Sequence, residues 1–438
     1  MDQTEALIIE TIDRHREEIL EFARDIYSHA ELGYKEFQTS GKFVKKMEQL
    51  GLRTEKGFAI TGVKAYLNED KKENAGLALL GELDALRIPE HAFANPETNA
   101  AHCCGHHAQM AGIFGAALAL TVPEIAEKLG GQVVFFATPA EEYGEIEFKN
   151  QLREQGKIRY GGGKCELIRT GAFDDIDLCL AHHIQPGDEI QVGSGTGNGF
   201  VSKVIRYLGK AAHAAGAPDK GVNALSAASL GLQALGLNRE TFRDEDCVRV
   251  HPIITKGGNL VNVIPDEIVI ETLVRAKTIE AFTDAAKKTD RSFQAGAVAM
   301  GAKVEITTLP GYLPTLAEQA LPELKRAAEL AAPEVPVREA AGHSGGSTDV
   351  GDVQHLMPVY TFNTGGVKGG LHQINFEVTN EEEAYIDTAK MFALAAYGLL
   401  KEKAARSKEL VKNYKPVFKD SAEYTKFMEQ FDSKEVLD

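Results

Sequence analysis

The amino-acid sequence predicts an α/β protein in which a mostly parallel-sheet domain is interrupted by a smaller α+β domain. Short apolar runs alternate with stretches of helical periodicity in the first half of the chain, as in a parallel sheet with helices between its strands. This pattern changes near residue 193 and returns after two prolines, Pro310 and Pro314. We therefore expect a first domain built from residues 1–192 and 309–438, with an insert at residues 193–308.

Hydrophobic spacing predicts the elements of the first domain in order. Apolar residues recur at helical spacing over residues 6–26 and over residues 39–50, where Gly51 is a typical helix end. Strands are then predicted at residues 62–67, 77–83 and 133–138, with a helix at residues 106–120. After the insert, we expect a helix at residues 317–330, a strand at 359–362, a helix at 381–400 and a surface helix in the charged tail.

The insert has a different pattern, with strands and only two long helical stretches. Its strands are predicted at residues 201–207, 248–254, 267–274 and 303–307, and its helices at residues 222–237 and 279–300. This mixture is typical of a small α+β domain.

Composition and charge exclude several classes of protein. The chain has 438 residues and a net charge of −16, without a concentrated basic patch, so we expect no nucleic-acid partner. Its five cysteines are odd in number and scattered, which favours a reducing compartment over a disulfide framework. The N-terminal residues lack a basic segment, and the longest apolar run, residues 111–122, is too short to cross a bilayer. We expect a cytoplasmic protein without a membrane partner.

Histidine, cysteine and acidic residues cluster in four short segments, each at the end of a predicted strand. These segments are residues 81–86, 102–107, 139–142 and 181–186. Because catalytic groups of α/β proteins gather outside the carboxyl ends of the strands, we expect the four segments to meet in one cleft. Thiolate, imidazole and carboxylate groups are the ligands of zinc-like transition metals. A single histidine of this kind is more often a hydrogen-bonded core residue, but four such segments favour a metal site.

The adjacent carboxylates Glu141 and Glu142 follow an apolar strand, where unpaired burial would be costly. One can ligate a metal while the other accepts a proton from water beside that metal. Two glycine-rich stretches, residues 161–164 and 193–199, lack the spacing of a phosphate-binding loop and are expected to be flexible turns. Ser344 and Ser347 lack a nucleophile-elbow motif, so we expect a structural or substrate-contact role for them.

Several of these motifs together resemble a known enzyme family over nearly the whole chain. The matching segments are residues 27–33 (YSHAELG), 82–86 (ELDAL), 102–106 (HCCGH), 138–142 (TPAEE), 171–177 (GAFDDID) and 212–215 (AHAA). They resemble the amidohydrolase branch of the aminoacylase/carboxypeptidase metallopeptidases, peptidase family M20. Two further segments, residues 162–164 (GGK) and 347–352 (STDVGD), are similar to the p-aminobenzoyl-glutamate hydrolases and related dipeptidases.

The resemblance implies a catalytic domain that holds two divalent metal ions, interrupted by a lid domain that also dimerises. Carried over residue by residue, Glu141 is the general base and the metal ligands are Cys104, His106, Glu142, His183 and His372. His183 is preferred to His182 because the family histidine stands three residues before a proline. The metal can be zinc, manganese, cobalt or nickel, since a mixed ligand set accepts several divalent ions.

In the insert, the resemblance assigns His213 to a substrate carbonyl or carboxylate across a homodimer or higher oligomer, and it places Asn262 and Arg275 near the substrate. Many relatives have Asp and His where this chain has His107 and Gln109. The additional imidazole of His107 could change the metal preference or replace one of the ligands. The roles of Asp84, His182 and Cys103 are likewise left open.

The implied reaction is hydrolysis of the amide bond of a small N-acyl amino acid, an aminobenzoyl-glutamate-like amide or a dipeptide, by a hydroxide shared between the metals. The altered surroundings at His107 and Gln109 leave a second reaction open, the hydrolytic removal of an amino group from a small aromatic compound. A third alternative is a non-catalytic binding protein on the same fold.

Overall fold

The computed structural model describes residues 1–437, which form two compact units. Unit 1 comprises Met1–Gly195, Leu316–Gly342 and Asp352–Ala422, and unit 2 comprises Thr196–Thr315, His343–Gly351 and the residues from Glu423 on. The sequence pattern predicts all of residues 309–438 in the first domain. In the structure, residues 343–351 and 423–437 instead pack with unit 2, and residue 438 lies outside the described residues.

The helices follow one another along the chain with short strands and loops between them. They are α1 (Gln3–Arg14), α2 (Arg16–Ser28), α3 (Phe37–Gln49), α4 (His106–Leu120), α5 (Pro123–Ala126), α6 (Ile146–Glu154), α7 (Gly163–Arg169), α8 (Ala224–Asn238), α9 (Ile279–Met300), α10 (Pro322–Ala331), α11 (Val350–Gln354), α12 (Thr388–Asn413) and α13 (Ser421–Met428). A π-helical turn, Glu382–Asp387, precedes α12, and α12 itself is kinked at residues 401–404. Within residues 1–437, no helix is both long enough and apolar enough to cross a membrane.

The strands follow in chain order. They are β1 (Arg53–Phe58), β2 (Gly62–Leu67), β3 (Gly76–Glu82), β4 (Leu86–Arg87), β5 (Ala100–Ala101), β6 (Gln132–Thr138), β7 (Leu178–Ile184), β8 (Ile190–Val192), β9 (Thr196–Gly197), β10 (Gly199–Leu208), β11 (Arg249–Val250), β12 (Ile253–Lys256), β13 (Glu267–Ala276), β14 (Lys303–Pro310), β15 (Val337–Glu339), β16 (His343–Ser344), β17 (Val359–Thr364), β18 (Val367–Lys368), β19 (Glu377–Val378) and β20 (Ser433–Leu437).

Unit 1 is built on a mixed sheet with the strand order β1-β2-β6-β3-β7-β17-β8-β15. The central strands β6, β3, β7 and β17 run parallel to one another, which confirms the predicted mostly parallel α/β fold. Helix α4 packs against β3 on one side and α12 on the other, and every residue of α4 is buried. A helix that is apolar all round belongs in a core, so its first residue, His106, is fixed in place by the packing of the whole helix.

The start of the chain differs from its prediction in one respect. The continuous helical pattern of residues 6–26 is divided into α1 and α2 at His15, whose backbone leaves the helical conformation. Asp2 caps α1 through a capping box with Glu5, and α1 and α2 both pack on α4.

Unit 2 contains an antiparallel sheet with the order β11-β13-β10-β14-β20, to which β12 adds by pairing with β13. Helices α8 and α9 pack against each other and on this sheet. Asn223 and Thr278 cap their N-termini, as expected for side chains that accept backbone hydrogen bonds. The predicted strand at residues 248–254 is divided into β11 and β12. The charged tail, expected to be surface helix, also supplies the edge strand β20.

Candidate metal centre

The parallel strands of unit 1 bring acidic and imidazole side chains to one edge of the sheet. Glu82 ends β3, Glu141 and Glu142 follow β6, and His183 lies near the end of β7. Strand β3 pairs in parallel with both β6 and β7, so these ends meet. Ligands and catalytic groups of α/β proteins lie at this edge.

A glycine between Cys104 and His106 shapes the turn that carries both side chains. Gly105 has φ +84°, and a Cβ at this position would lie 2.0 Å from the Ile184 Cγ2 atom. Only glycine fits this left-handed, closely packed position without strain. The turn starts α4 directly at His106, so the cysteine and the histidine reach the same pocket.

Two groups of potential ligand atoms share the thiol of Cys104. In the first group, Cys104 Sγ lies 3.3 Å from His183 Nε2, and His106 is the third member. In the second group, His372 Nε2 lies 3.2 Å from Cys104 Sγ and 3.1 Å from Glu142 Oε1. The structure thus brings together all five residues that the sequence predicts as metal ligands, with Cys104 between the two groups.

A third group joins His106 to two carboxylates. His106 Nε2 lies 3.1 Å from Glu82 Oε2 and 3.8 Å from Glu141 Oε2. Glu141, the expected general base, is therefore beside the ligand groups, with only a small part of its surface exposed.

The donor atoms fit divalent ions better than they fit hydrogen bonding to one another. His106 Nε2 and Glu142 Oε1 are buried and have no hydrogen bond of acceptable geometry within residues 1–437, although each lies 3.1 Å from a potential partner. Metal bonds of about 2.0–2.3 Å at angles near 90–110° place neighbouring ligand atoms roughly 2.8–3.8 Å apart. Two donor atoms that lie close together without hydrogen bonding to each other are expected where both can coordinate the same ion. The sulfur, nitrogen and oxygen donors therefore fit two divalent metal ions.

Burial and mutual charge shift the pKa values of these groups. Burial raises the pKa of the Cys104 thiol well above its ordinary value, and the Glu142 carboxylate adds to this effect. Burial lowers the pKa of His183, helped by His106. Burial alone would lower the pKa of His106, but the Glu82 carboxylate and Cys104 raise it overall. A bound cation favours the thiolate and the neutral imidazole, which are the forms that ligate.

Residues around the pocket hold the ligands in place. Asp84 O accepts a hydrogen bond from His106 Nδ1 at 2.9 Å, so Nε2 is the nitrogen left to face the pocket. Asp84 Oδ2 accepts a hydrogen bond from the backbone N–H of Glu142 at 2.9 Å. Asp84, whose role the sequence leaves open, thus forms hydrogen bonds with two of the proposed ligand residues. His372 and Ala140 adopt positive φ values of 62° and 49°, which are uncommon for non-glycine residues. Ala140 directly precedes Glu141.

His107 and His182, whose roles the sequence leaves open, contact hydroxyl groups outside the ligand groups. His107 Nε2 is 3.1 Å from the Tyr385 hydroxyl in the π-helical turn. His182 Nε2 is 2.7 Å from the Thr364 hydroxyl. Neither ring belongs to a ligand group, and Cys103 is a buried core residue whose backbone oxygen accepts from His372 N.

The contact between Glu82 and Lys164 is not evident from the sequence. The glycine-rich stretch ending at Lys164 was expected to be a flexible turn, which is wrong: Gly163 begins α7 and Lys164 is fully buried. Its ammonium lies 2.5 Å from Glu82 Oε1. A lysine at the start of a helix, directly after glycines and next to apolar residues, is the one signal in the sequence that could have indicated a buried cation.

The three remaining candidate residues lie in unit 2. His213 is exposed, and its Nδ1 accepts a hydrogen bond from Gly216 N at 3.0 Å. The His213 turn pairs with the segment of Asn262, since Ala214 N donates to Asn262 O. Arg275, on β13, donates to the Ser347 hydroxyl at 3.1 Å.

Comparison with known proteins identifies the family. Residues 78–397 match the profile of peptidase family M20/M25/M40. The chain belongs to this family. As a family member it is a metal-dependent hydrolase that acts on C–N bonds, which sets aside the non-catalytic alternative.

Individual relatives in this peptidase family are distant. An Xaa-Arg dipeptidase from Mus musculus is 26% identical over 93% of this chain and 88% of its own length. A p-aminobenzoyl-glutamate hydrolase polypeptide from Escherichia coli is 26% identical over 63% of this chain and 54% of its own length. A dinuclear metal-binding M20 peptidase from Bacillus subtilis has a similar solved structure, with a TM-score of 0.61 and 24% identity over 89% of this chain and 99% of that one.

Proposed function

We propose that this peptidase-family member hydrolyses the amide bond of a small N-acyl amino acid, an aminobenzoyl-glutamate-like amide or a dipeptide. The observation that carries the proposal is the pair of ligand groups that share Cys104, with Glu141 beside them. The printed names of the relatives cover this substrate range, namely Xaa-Arg dipeptidase, N-acetyl-L-cysteine deacetylase and p-aminobenzoyl-glutamate hydrolase.

The five residues that would hold two divalent ions are Cys104, His106, Glu142, His183 and His372. When bound, such ions supply Lewis acidity, which polarises a carbonyl and makes water a stronger nucleophile. Zinc, manganese, cobalt and nickel all suit this set of sulfur, nitrogen and oxygen donors, and the choice among them is open to measurement.

Glu141 is proposed to move the proton. Its Oε2 atom accepts a proton from water as the water oxygen bonds to the amide carbon. The same carboxyl group then gives the proton to the amide nitrogen as the C–N bond breaks, so the products are a carboxylic acid and an amine. Most of the Glu141 surface is covered, which limits competing water at the proton-transfer position.

His213, Asn262 and Arg275 are proposed to contact the substrate, with His213 supplied across a homodimer. Because His213 Nδ1 accepts backbone hydrogen bonds, the neutral ring carries its proton on Nε2. That N–H can donate to the developing oxyanion. The lid and dimerisation roles of the insert, oligomers beyond the dimer and the cytoplasmic location stay predictions.

Product analysis with metal-loaded protein tests the proposal. Incubation with N-acyl amino acids, aminobenzoyl-glutamate and dipeptides should give two organic fragments from at least one substrate class. Aminoarenes form the comparison set. Release of ammonia with the ring skeleton intact, without cleavage of any amide, would replace amide hydrolysis by deamination.

A further inference from the structure

A buried network of three side chains lies directly beside His106. Lys164 Nζ donates to Glu82 Oε1 at 2.5 Å, and Gln109 Nε2 donates to Glu82 Oε2 at 2.8 Å. The Gln109 side chain is oriented by a second bond, in which Glu82 N donates to Gln109 Oε1 at 2.9 Å. All three side chains are at most about 6% exposed, so the network is shielded from solvent.

The positions of both charged residues are set by rigid elements. Glu82 ends the central strand β3, between β6 and β7. Lys164 stands in the first turn of α7, where Gly163 N donates to Ala140 O at 3.0 Å. A Cβ on Gly163 would lie 1.6 Å from Pro139 O, so glycine is required for α7 to approach the turn that carries Glu141. The Lys164 ammonium is therefore held by α7 close to the turn that carries Glu141, and not on a mobile turn.

The Glu82 carboxylate is arranged like a ligand and not like the acceptor of a histidine hydrogen bond. Its Oε2 lies 3.1 Å from His106 Nε2, yet Nε2 has no hydrogen bond within residues 1–437. Lys164 donates to Oε1 and Gln109 donates to Oε2, so Oε2 retains one lone pair that can bind an ion. One potential ligand atom from each of His106, Glu82 and Glu141 lies within 4.8 Å of the other two, close enough to surround one ion.

We infer that Glu82 adds a carboxylate oxygen to the metal site, on the ion that His106 holds, and that Lys164 and Gln109 are positioning residues that aim this oxygen. The inference rests on the proposed metal site but not on the proposed substrate. The Lys164 ammonium offsets the charge of Glu82, which would otherwise be repelled by the neighbouring carboxylate of Glu141. Gln109 fixes which oxygen faces His106.

A charge-neutral double variant separates a metal role from a structural one. Replacing Glu82 alone removes a carboxylate that pairs with the buried Lys164 ammonium and can destabilise the fold, whereas Glu82→Gln combined with Lys164→Met removes both charges and retains the side-chain volumes. The full-length protein is first stripped of metal, and its unfolding temperature is measured. Zn²⁺ and Mn²⁺ are then added separately, and affinity is obtained by competition with a chelator, with stoichiometry from elemental analysis.

The expected result is a metal-free unfolding temperature near that of the wild type, with affinity for at least one ion weakened by about 10- to 100-fold. A matched control is Lys64→Met with Asp175→Asn, which removes another ion pair of unit 1 in which Lys64 is buried and Asp175 is partly exposed, and which belongs to no ligand group. This control should bind both metals like the wild type.

Wild-type affinity in the Glu82→Gln/Lys164→Met protein would overturn the inference and leave the pair as a structural ion pair. If that protein does not fold, Glu82→Asp is measured instead, since it keeps the charge beside Lys164 and withdraws the carboxylate by one methylene. Weakened binding by folded Glu82→Asp supports the inference, and unchanged binding refutes it. A wild type that binds metal but cleaves no amide would refute the proposed substrate alone, and one that binds no metal would refute both.

Discussion

The metal pocket of unit 1 and the His213 turn of unit 2 carry the two parts of the proposed chemistry in opposite environments. His106 is completely buried and its ring is oriented by the backbone oxygen of Asp84. His213 is exposed, and near its partner segment Val261 is fully exposed. The adjacent Leu260 is exposed as well, and contiguous exposed apolar residues often mark contact surfaces. The pocket is thus organised within unit 1, whereas the exposed His213 side chain is accessible to the proposed substrate and second subunit.

Removing the shared thiol is expected to have the largest effect. Cys104→Ala deletes the one atom common to the two groups that contain the five proposed ligands, so affinity for both ions should fall by more than the roughly 10- to 100-fold that loss of a supporting hydrogen bond costs. Hydrolysis should fall to background. Elemental analysis and chelator competition measure the loss of metal.

The neighbouring cysteine is the matched control for this variant. Cys103 is buried in the hydrophobic core and belongs to no ligand group. Cys103→Ala should keep both metals. If Cys103→Ala loses metal and Cys104→Ala retains it, the assignment of the two thiols is reversed.

Glu141→Ala should abolish most turnover without removing the metals. General acid–base catalysis contributes about 10²–10⁴-fold, and Glu141 is the proposed proton carrier. We expect kcat to fall by at least that factor, with metal content unchanged by elemental analysis. Glu147→Ala, at an exposed position on α6, is the control and should have wild-type activity. Metal loss in Glu141→Ala would instead make Glu141 a ligand.

His213→Ala sharpens the contrast between the two regions. Metal content and folding should be unchanged, because the residue lies in unit 2 and is exposed. Loss of one oxyanion donor should lower kcat by about 10²–10³-fold. Mixed with the Glu141→Ala protein under conditions that exchange subunits, the His213→Ala protein should regain activity, because one site of each mixed dimer has both residues intact. Confirmed exchange without recovered activity would refute the role across subunits.

Local patterns predicted the elements well where burial is uniform along an element. Strand β2 matches the expected residues 62–67 and α4 matches the expected residues 106–120, because both are buried nearly throughout and most of their residues are apolar or small. The break at His15 was missed because hydrophobic periodicity continues through it. Strand β20 was missed because residues 433–437 (SKEVL) form an exposed edge, where strand pairing with β14 replaces hydrophobic burial as the organising interaction.

The ligand segments were predictable because each lies at a strand end, but their supporting residues were not. Glu82 and Lys164 are separated by 82 positions, and their ion pair depends on α7 docking beside β6. No local spacing encodes that contact. The choice of His183 over His182 followed from the resemblance. Both residues lie on β7, where alternate side chains face opposite sides of the sheet, and the structure places only His183 next to Cys104.

The smallest expected effect concerns stability, at a buried acid behind the pocket. Burial raises the pKa of Glu36 from an ordinary 4.5 to about 8, and the nearby Asp84 carboxylate contributes. A carboxyl group whose pKa is higher in the folded state binds more protons there, so its contribution to stability declines as pH rises from about 4.5 through about 8. Glu36→Gln is neutral at every pH and lacks this decline, and the Thr61 hydroxyl that donates to Glu36 Oε2 can rotate to accept from the new amide. The difference in unfolding temperature, variant minus wild type at saturating metal, should therefore increase between pH 5 and pH 9, on the order of a few degrees. Because all other titrating groups are common to both proteins, a difference that stays constant with pH would show that Glu36 does not retain its proton in the folded state.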